Sequence, residues 1–539
     1  MSWLPESQNL KKKTLVKQPL PLAENKKSKY KNAAVLLSQL LKSPASKSLH
    51  HLIDAPVACQ YKIIPLGEDR DRLQIATMEP DDLATLDELK WLLKKEIEPL
   101  KANAEQIEEA LRHIYGLGAE TVHRMLNETD ASHYIDLTAD YATDLEQQSE
   151  EASIVAFVNE LLIESFQERA TDIHIEPYES RLRIRYRVDG VLYEVSVPES
   201  LQHLHPAIVS RIKIMANLNI AEQRLPQDGR IKVRTGQQEL DLRISILPTP
   251  FGESVNIRIL NSNHVALNLE SLGLMRRDLI LIEQLLEKPH GIILVTGPTG
   301  SGKTTTLYSC LNKINDSARK IITVEDPIEY QLTGISQVQV NPKIGLTFAQ
   351  GLRSMLRHDP DVMLVGEIRD NETAEVTIQV AMTGHLVFST LHTNDAASAV
   401  ARLINMGIEP YLIAASVECI VAQRLVRVIC TDCKKSENVR NGRQTLFRKL
   451  GGGNHTLYRG RGCEMCKQSG YFGRTAIYEF MKIDDEIREQ IVMKTPANQL
   501  RKLAIEKGMV SLRNDGIEKI SRGITTLDEV LRVTQEVEK

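Results

Sequence analysis

Apolar residues recur at helical spacing over 83–94 and 104–115, and the runs Tyr61-Lys62-Ile63-Ile64-Pro65-Leu66 and Leu73-Gln74-Ile75-Ala76 read as strands. Together they predict a small α/β segment from about 33 to 116. Residues 154–166 again show helical spacing. Over 181–188 the pattern changes to strict alternation, with Leu182, Ile184, Tyr186 and Val188 on one face and Arg181, Arg183, Arg185 and Arg187 on the other. That is a strand with one core face, and Asp189-Gly190 closes it as a hairpin turn. The arginine row reads most simply as a wet face, though it is also enough to line an anion site or a subunit interface. Further on, short apolar runs each end in polar residues: Ile292-Ile293-Leu294-Val295, Ile321-Ile322-Thr323-Val324, Val362-Met363-Leu364-Val365 and Leu386-Val387-Phe388-Ser389-Thr390. Such runs predict a parallel α/β sheet whose polar strand ends gather at the carboxyl edge.

This patterning divides the chain. Residues 1–32 carry eight lysines and prolines at 5, 19 and 21, a composition that predicts a disordered basic tail. An N-terminal α/β domain is expected over 33–137, an acidic linker over 138–151, a second α/β domain over 152–266 and a third over 267–539. The third should include a cysteine-bearing subdomain at 425–475 and helices over 483–539. At 539 residues the length agrees with several domains. A net charge of −4 removes any bulk-charge argument for nucleic-acid binding. No apolar run approaches the ~18 residues of a membrane helix, the nearest being 411–422, and the N-terminus lacks the apolar stretch of a signal peptide. The expectation is a cytoplasmic protein without a transmembrane segment, meeting any membrane through partners.

The most specific chemistry lies at 297–304. Gly297-Pro298-Thr299-Gly300-Ser301-Gly302-Lys303-Thr304 is a complete phosphate loop between an apolar strand and residues, from Thr305 on, that can open a helix. Three glycines let backbone N–H groups curl around an anion at a helix N-terminus. Lys303 can reach the β- and γ-phosphates and Thr304 can ligate Mg²⁺. The strand ends then supply Glu325, Glu329, Glu367, His385 and His392 around one nucleotide. Glu367 is placed to hold Mg²⁺ through water, and Glu329 or Glu325 to orient the attacking water. Phosphoryl transfer also calls for a cation on the γ-phosphate, for which Arg224, Arg230, Arg243 and Arg258 are candidates. Any of these can equally be a surface residue or part of a local ion pair.

Two C-x-x-C knuckles, Cys430/Cys433 and Cys463/Cys466, stand 29 residues apart. In a reducing compartment they read as a closed Cys₄ zinc site that holds a subdomain together, with a loop such as 451–455 filling the gap. Cys59, Cys310 and Cys419 read as small buried apolar residues.

At this density the chain resembles the secretion ATPase superfamily, specifically the assembly ATPases of type II secretion systems and type IV pili. The resemblance runs from about 150 to the C-terminus. It rests on Asp172-Ile173-His174-Ile175-Glu176-Pro177, Pro226-Gln227-Asp228-Gly229-Arg230, the phosphate loop, the Asp box at 325–329 and the segment 352–361. The Walker B strand at 362–367 and the His box at 384–395 complete it. Thr171 and His358 depart from the family's usual Ser and Gln, away from the proposed chemistry. The resemblance implies a RecA-like ATPase domain preceded by a PAS-like α/β domain and a small N-terminal α/β domain, with a Cys₄ zinc subdomain. It implies a homo-hexamer in which second-domain arginines, Arg243 or Arg258 among them, complete each ATP site. It also implies ATP, Mg²⁺ and Zn²⁺ as ligands, and docking of residues 61–116 onto inner-membrane platform proteins. The cysteine quartet followed by Gly470-Tyr471-Phe472-Gly473-Arg474 is similar to assembly-type members, which power pseudopilus assembly for type II secretion or pilus extension. A nucleic-acid motor would share the ATPase layer, but only the lysine tail speaks for it. A non-catalytic scaffold is disfavoured by the presence of Lys303, Thr304, Glu329 and Glu367.

Overall fold

The computed structural model describes residues 49, 51–69, 72–117, 145–235, 238–261, 268–437 and 443–534. The expected basic tail and the first half of the expected acidic linker, 138–144, lie outside these. The described residues divide into two compact units. One holds residues up to 162 with 176–184 and 194–212; the other holds 163–175, 185–193 and 213 onward.

The first unit contains strands β1 (Ile64–Asp69), β2 (Arg72–Thr77) and β3 (Glu96–Lys101) in that order, β1–β2 antiparallel and β2–β3 parallel. Helices α1 (Ala55–Gln60), α2 (Leu83–Leu93) and α3 (Ala104–Tyr115) accompany them. Ile64, Leu73, Ile75, Leu89, Ile107 and Ile114 share one buried cluster. Helix α3 starts where the sequence asks it to: Asn103 accepts the Gln106 N–H and the Gln106 side chain answers the Asn103 N–H, a reciprocal cap. Helix α2 stops at Lys94, whose φ of 52° is left-handed.

Helix α4 (Leu145–Gln167) begins nine residues ahead of the apolar spacing at 154, within the segment expected to be linker. Strands β4 (Ala170–Pro177), β5 (Leu182–Val188) and β6 (Val191–Val195) and helix α5 (Leu201–Met215) follow. Asp189 and Gly190 both take positive φ, 49° and 85°, as a tight two-residue hairpin turn requires.

In the second unit, β7 (Gln227–Thr235), β8 (Gln238–Thr249) and β9 (Gly252–Asn261) are antiparallel neighbours, and β9 pairs with residues 172–175 of β4. Register sets Asp172 opposite Arg258, Arg258 opposite Arg243 and Arg243 opposite Arg230. Directly opposed residues share a face, so three arginines and one aspartate form a row across four strands.

A seven-stranded sheet forms the centre of this unit, in the order β12 (Ser336–Gln339), β11 (Ile321–Glu325), β13 (Val362–Val365), β14 (Leu386–Leu391), β10 (Gly291–Thr296), β15 (Val417–Ile429), β18 (Tyr471–Lys482). All neighbours are parallel except β15 and β18. Strands β10, β11, β13 and β14 are buried along their whole length because both faces are covered there, whereas the edge strand β12 is polar and partly exposed. Ile292 and Leu294 enter one core with Val324, Met363 and Val387, while Ile293 and Val295 enter the other with Leu364 and Phe388. The apolar run at 411–422 splits into a helix, Pro410–Ser416, and the start of β15. Among the described residues no helix is long and apolar enough to cross a membrane.

Candidate nucleotide site and cysteine cluster

Strand β10 is buried along its whole length and delivers Gly297 into the phosphate loop. Helix α6 (Arg276–Leu286) precedes it and α7 (Lys303–Ile314) follows from Gly302, whose φ of 87° only glycine adopts without strain. Glycine is needed on a second count: a Cβ on Gly297 would lie 2.6 Å from the Gln423 carbonyl oxygen of β15. The Lys303 ammonium donates to the Gly297 and Pro298 carbonyl oxygens at 2.8 and 3.2 Å, which lays it over the loop. Burial lowers its pKa to about 8; Glu367 acts against that shift and Arg424 with it. Thr304 and Thr305 occupy the first turn of α7.

The parallel register brings the ends of β10, β11, β13 and β14 to one edge. Three of the expected groups meet there as side-chain pairs. Glu329 takes a fork from Arg243, Nη2 at 2.7 Å and Nη1 at 3.3 Å, although the two residues are 86 positions apart. Glu367 receives the His392 Nε2 at 3.0 Å and is bonded by Arg369 as well. Burial works to raise the Glu367 pKa, but Arg369 and His392 outweigh it and hold the carboxyl below its usual range, so it stays ionised. The loop carrying His392 is fixed by Thr393, whose N–H and hydroxyl meet the Thr296 hydroxyl at 2.8 and 2.7 Å, and by Asp395, which caps helix α10 (Ala396–Asn405).

Glu325 is a different kind of carboxylate. It is 4% exposed and takes bonds from the Tyr308 hydroxyl, from Thr323 Oγ1 at 2.6 Å and from Gln337 Nε2 at 3.1 Å. Its acceptor capacity is committed inside the protein, which suits a group that braces the strand end.

His385 corrects the expectation outright. It precedes β14, and its carbonyl oxygen accepts the N–H of Gly291 at the first residue of β10. It therefore sits at the amino edge of the sheet, about 20 Å of strand away from the phosphate loop at ~3.3 Å per residue. Its Nδ1 lies 3.0 Å from the Val380 carbonyl oxygen, closing the end of helix α9 (Asn371–Met382). A strand carries only its trailing residues to the carboxyl edge, and His385 leads.

Among the arginines, Arg224 bonds Glu222 and its side chain is 88% exposed, and Arg230 is exposed as well. Arg258 is held by Asp172 at 3.1 Å, and Arg187 approaches the same carboxylate at 3.7 Å. Of the four, Arg243 is the one bonded to a carboxylate of the nucleotide edge.

The four knuckle cysteines converge, with all sulfur atoms within 4.8 Å of one another. Four thiolates about 2.3 Å from a central zinc stand about 3.8 Å apart along the edges of a regular tetrahedron. Here Cys430–Cys463 and Cys433–Cys466 are each 3.7 Å apart and Cys463–Cys466 is 3.6 Å apart. None is in a disulfide. The Cys466 sulfur also accepts N–H bonds from Cys463 and Gly470 at 3.2 and 3.3 Å, as a thiolate would. The donor set fits zinc. The gap between the knuckles holds more than the expected loop: β16 (Lys434–Ser436), the helix Arg443–Lys449 and β17 (Tyr458–Gly460), with β16 and β17 antiparallel. Phe447 is fully buried there, and a Cβ on Gly452 would strike its ring at 2.3 Å.

Comparison with known proteins settles the lineage. The model of the "Type II/IV secretion system protein" family matches residues 147–532, well over half the chain. The chain belongs to this family, as one of its ATPases. A second model, the MshEN domain, matches residues 36–121. The chain is 42% identical over 505 residues to the type II secretion system ATPase E of Vibrio cholerae, covering 93% of this chain and 100% of that protein. It is 43% identical over 491 residues to the type IV pilus assembly ATPase PilB of Myxococcus xanthus, covering 89% and 85%. The solved ATPase DotB of Legionella pneumophila superposes with a TM-score of 0.51 at 22% identity, covering 74% of this chain and 99% of that one. That likeness shows the RecA-like fold that the family shares.

Sequence reading missed Arg369, Tyr308, Gln337 and Arg424. Arg369 stood in the sequence two residues after Glu367. Tyr308 reaches Glu325 from helix α7, and Gln337 and Arg424 arrive by strand pairing, over distances that local pattern does not reveal.

Proposed function

We propose that this ATPase powers assembly of a pseudopilus and thereby protein secretion by a type II secretion system. It works as a homo-hexamer on the cytoplasmic side of the inner membrane, docked to membrane platform proteins through its N-terminal domain. The observation that carries the reading is the meeting of Lys303, Glu367–His392 and Glu329–Arg243 at one sheet edge, in a chain whose relatives include a type II secretion ATPase over their full length.

In this reading the loop 297–304 binds the triphosphate, with Lys303 on the β- and γ-phosphates. Thr304 and, through water, Glu367 would hold Mg²⁺, which neutralises phosphate charge when bound. Glu329 orients the attacking water in preference to Glu325, whose oxygens are taken. Arg243 serves the γ-phosphate, released from Glu329 or sharing it, and Arg258 stands next in the same row. Four thiolates of Cys430, Cys433, Cys463 and Cys466 hold zinc as a structural closure.

Pilus extension is the second reading, favoured by the PilB relative at nearly equal identity. Two measurements test the proposal. Purified protein should release phosphate from ATP in a Mg²⁺-dependent manner, and Lys303→Ala should abolish release. In the source cell, deletion should abolish export of secreted enzymes and leave surface pili intact; loss of pili with normal export would transfer the protein to the second reading.

A further inference from the structure

We infer that Arg424 is a phosphate-binding residue supplied by the chain's own strand β15, giving Nη1 to the terminal phosphate while Nη2 holds the loop of His392. The inference rests on the nucleotide-site reading above and adds to it a residue that the strand-end motifs leave out.

Register places Arg424 at the right level. Ala422 of β15 pairs with Thr296, the last residue of β10, so Arg424 lies beyond the end of β10, beside the phosphate loop. Its neighbours Gln423 and Leu425 face that loop: a Cβ on Gly302 would meet the Gln423 Nε2 at 2.9 Å and a Leu425 methyl at 3.5 Å. Alternation turns Arg424 to the other face, where the His392 loop runs. There its Nη2 donates to the Asn394 side-chain oxygen at 2.9 Å and to the Asn394 carbonyl at 3.2 Å.

The remaining guanidinium nitrogen carries the argument. Arg424 is only 9% exposed, and its Nη1 is buried without an acceptor. A buried cation with an unfilled N–H is costly unless an anion completes it. The nearby carboxylates are committed elsewhere. Asp395 accepts from the Ser398 N–H at 2.8 Å, and Glu479 accepts from the Ala396 N–H at 3.0 Å and the Leu512 N–H at 3.4 Å. Lys303 is close enough for the two cations to act on one another, and it too bonds only carbonyl oxygens. Glu367 acts on Lys303 and Asp395 and Glu479 act on Arg424 from a distance, but the bonds of both cations go to carbonyl and amide oxygens, and a polyanion such as a triphosphate would give both a bonded anionic partner. Because Asn394 stands two residues after His392, and His392 bonds Glu367, filling Nη1 also fixes the loop that orients the catalytic-edge carboxylate.

The test uses the full-length protein, a non-hydrolysable ATP analogue and ADP, with Arg424→Lys, Arg424→Gln and Asn394→Ala. Lysine keeps the charge but cannot bond Asn394 and a phosphate together. Both Arg424 variants should lose roughly ten- to a hundredfold in affinity for the ATP analogue, the range of a hydrogen bond to a charged group. ADP affinity should change by less than about threefold on the same reckoning. Asn394→Ala should lower kcat while leaving analogue affinity intact. The inference falls if Arg424→Lys, with unchanged melting temperature and zinc content, binds both nucleotides as wild type, or if both weaken by the same factor. Lys303→Ala separates the two levels: if it fails to weaken either nucleotide, the site itself is misplaced.

Discussion

Replacing Arg243 by Gln tests whether the fork to Glu329 is architecture or chemistry. The pair is bidentate, at 2.7 and 3.3 Å, with side chains 19% and 29% exposed. As architecture alone, losing a charge-assisted fork partly screened by solvent costs roughly 1–2 kcal/mol. A domain holding ~5–15 kcal/mol in reserve survives that. If Arg243 also meets charge developing on the γ-phosphate, its loss costs ~10³–10⁵ in rate, equivalent to about 4–7 kcal/mol of barrier. The two effects differ enough to be separated by steady-state phosphate release, ADP affinity and melting temperature measured on Arg243→Gln, Glu329→Gln and the double variant. We expect turnover to fall at least ~10³-fold with ADP affinity nearly unchanged. The double variant should be little slower than the worse single, since both residues act in one step. Turnover within about threefold of wild type, with only the stability cost visible, would refute the assignment and leave Arg243 as a tether.

Glu367→Gln should bind ATP as wild type yet hydrolyse it at least ~10²-fold more slowly, checked by analogue binding beside phosphate release. Lys303, with its pKa lowered to about 8, should make nucleotide affinity pH-dependent: below that value the ammonium is charged and binding is strongest. As pH rises through 8 towards 9 the free protein loses the proton, so binding must take one up and Kd should rise, up to ~10-fold per pH unit; calorimetry in two buffers counts the proton. Cys463→Ser should release zinc and lower the folding stability of the 425–475 region. Structural zinc contributes on the order of 10–16 kcal/mol of apparent binding free energy in small peptides, and metal analysis with thermal melting reads the loss.

Much of the nucleotide edge was legible because it is local. The phosphate loop is one uninterrupted motif, and Glu329, Glu367 and His392 each trail their own strand. The cysteine knuckles were equally plain. Residues leading a strand follow the opposite rule, and His385 went to the amino edge for that reason. Glu325 trails its strand as Glu367 does, but what fills its oxygens comes from Tyr308 and Gln337, 17 positions back and 12 ahead. Strand β3, Glu-Ile-Glu-Pro-Leu-Lys, escaped because it is an edge strand with a proline and little apolar content. Arg424 was invisible for want of a partner: only the pairing of β15 with β10, more than 120 positions apart, puts it beside the loop.

That pairing also makes β15 common to both sites. Thirteen residues long and stitched to β18 from Cys419 to Ile429, it touches the phosphate loop near its middle and enters the first cysteine knuckle at its end. It is held on both sides, by β10 over 417–422 and by β18, and its register with β18 slips only between Arg427 and Ile429, just short of the knuckle. One strand thus carries the groups beside the phosphate loop and, at its far end, the entry to the cysteine cluster. Two sites that share no side chain share a backbone, so the closure of the 425–475 region and the seating of the phosphate loop are parts of one sheet.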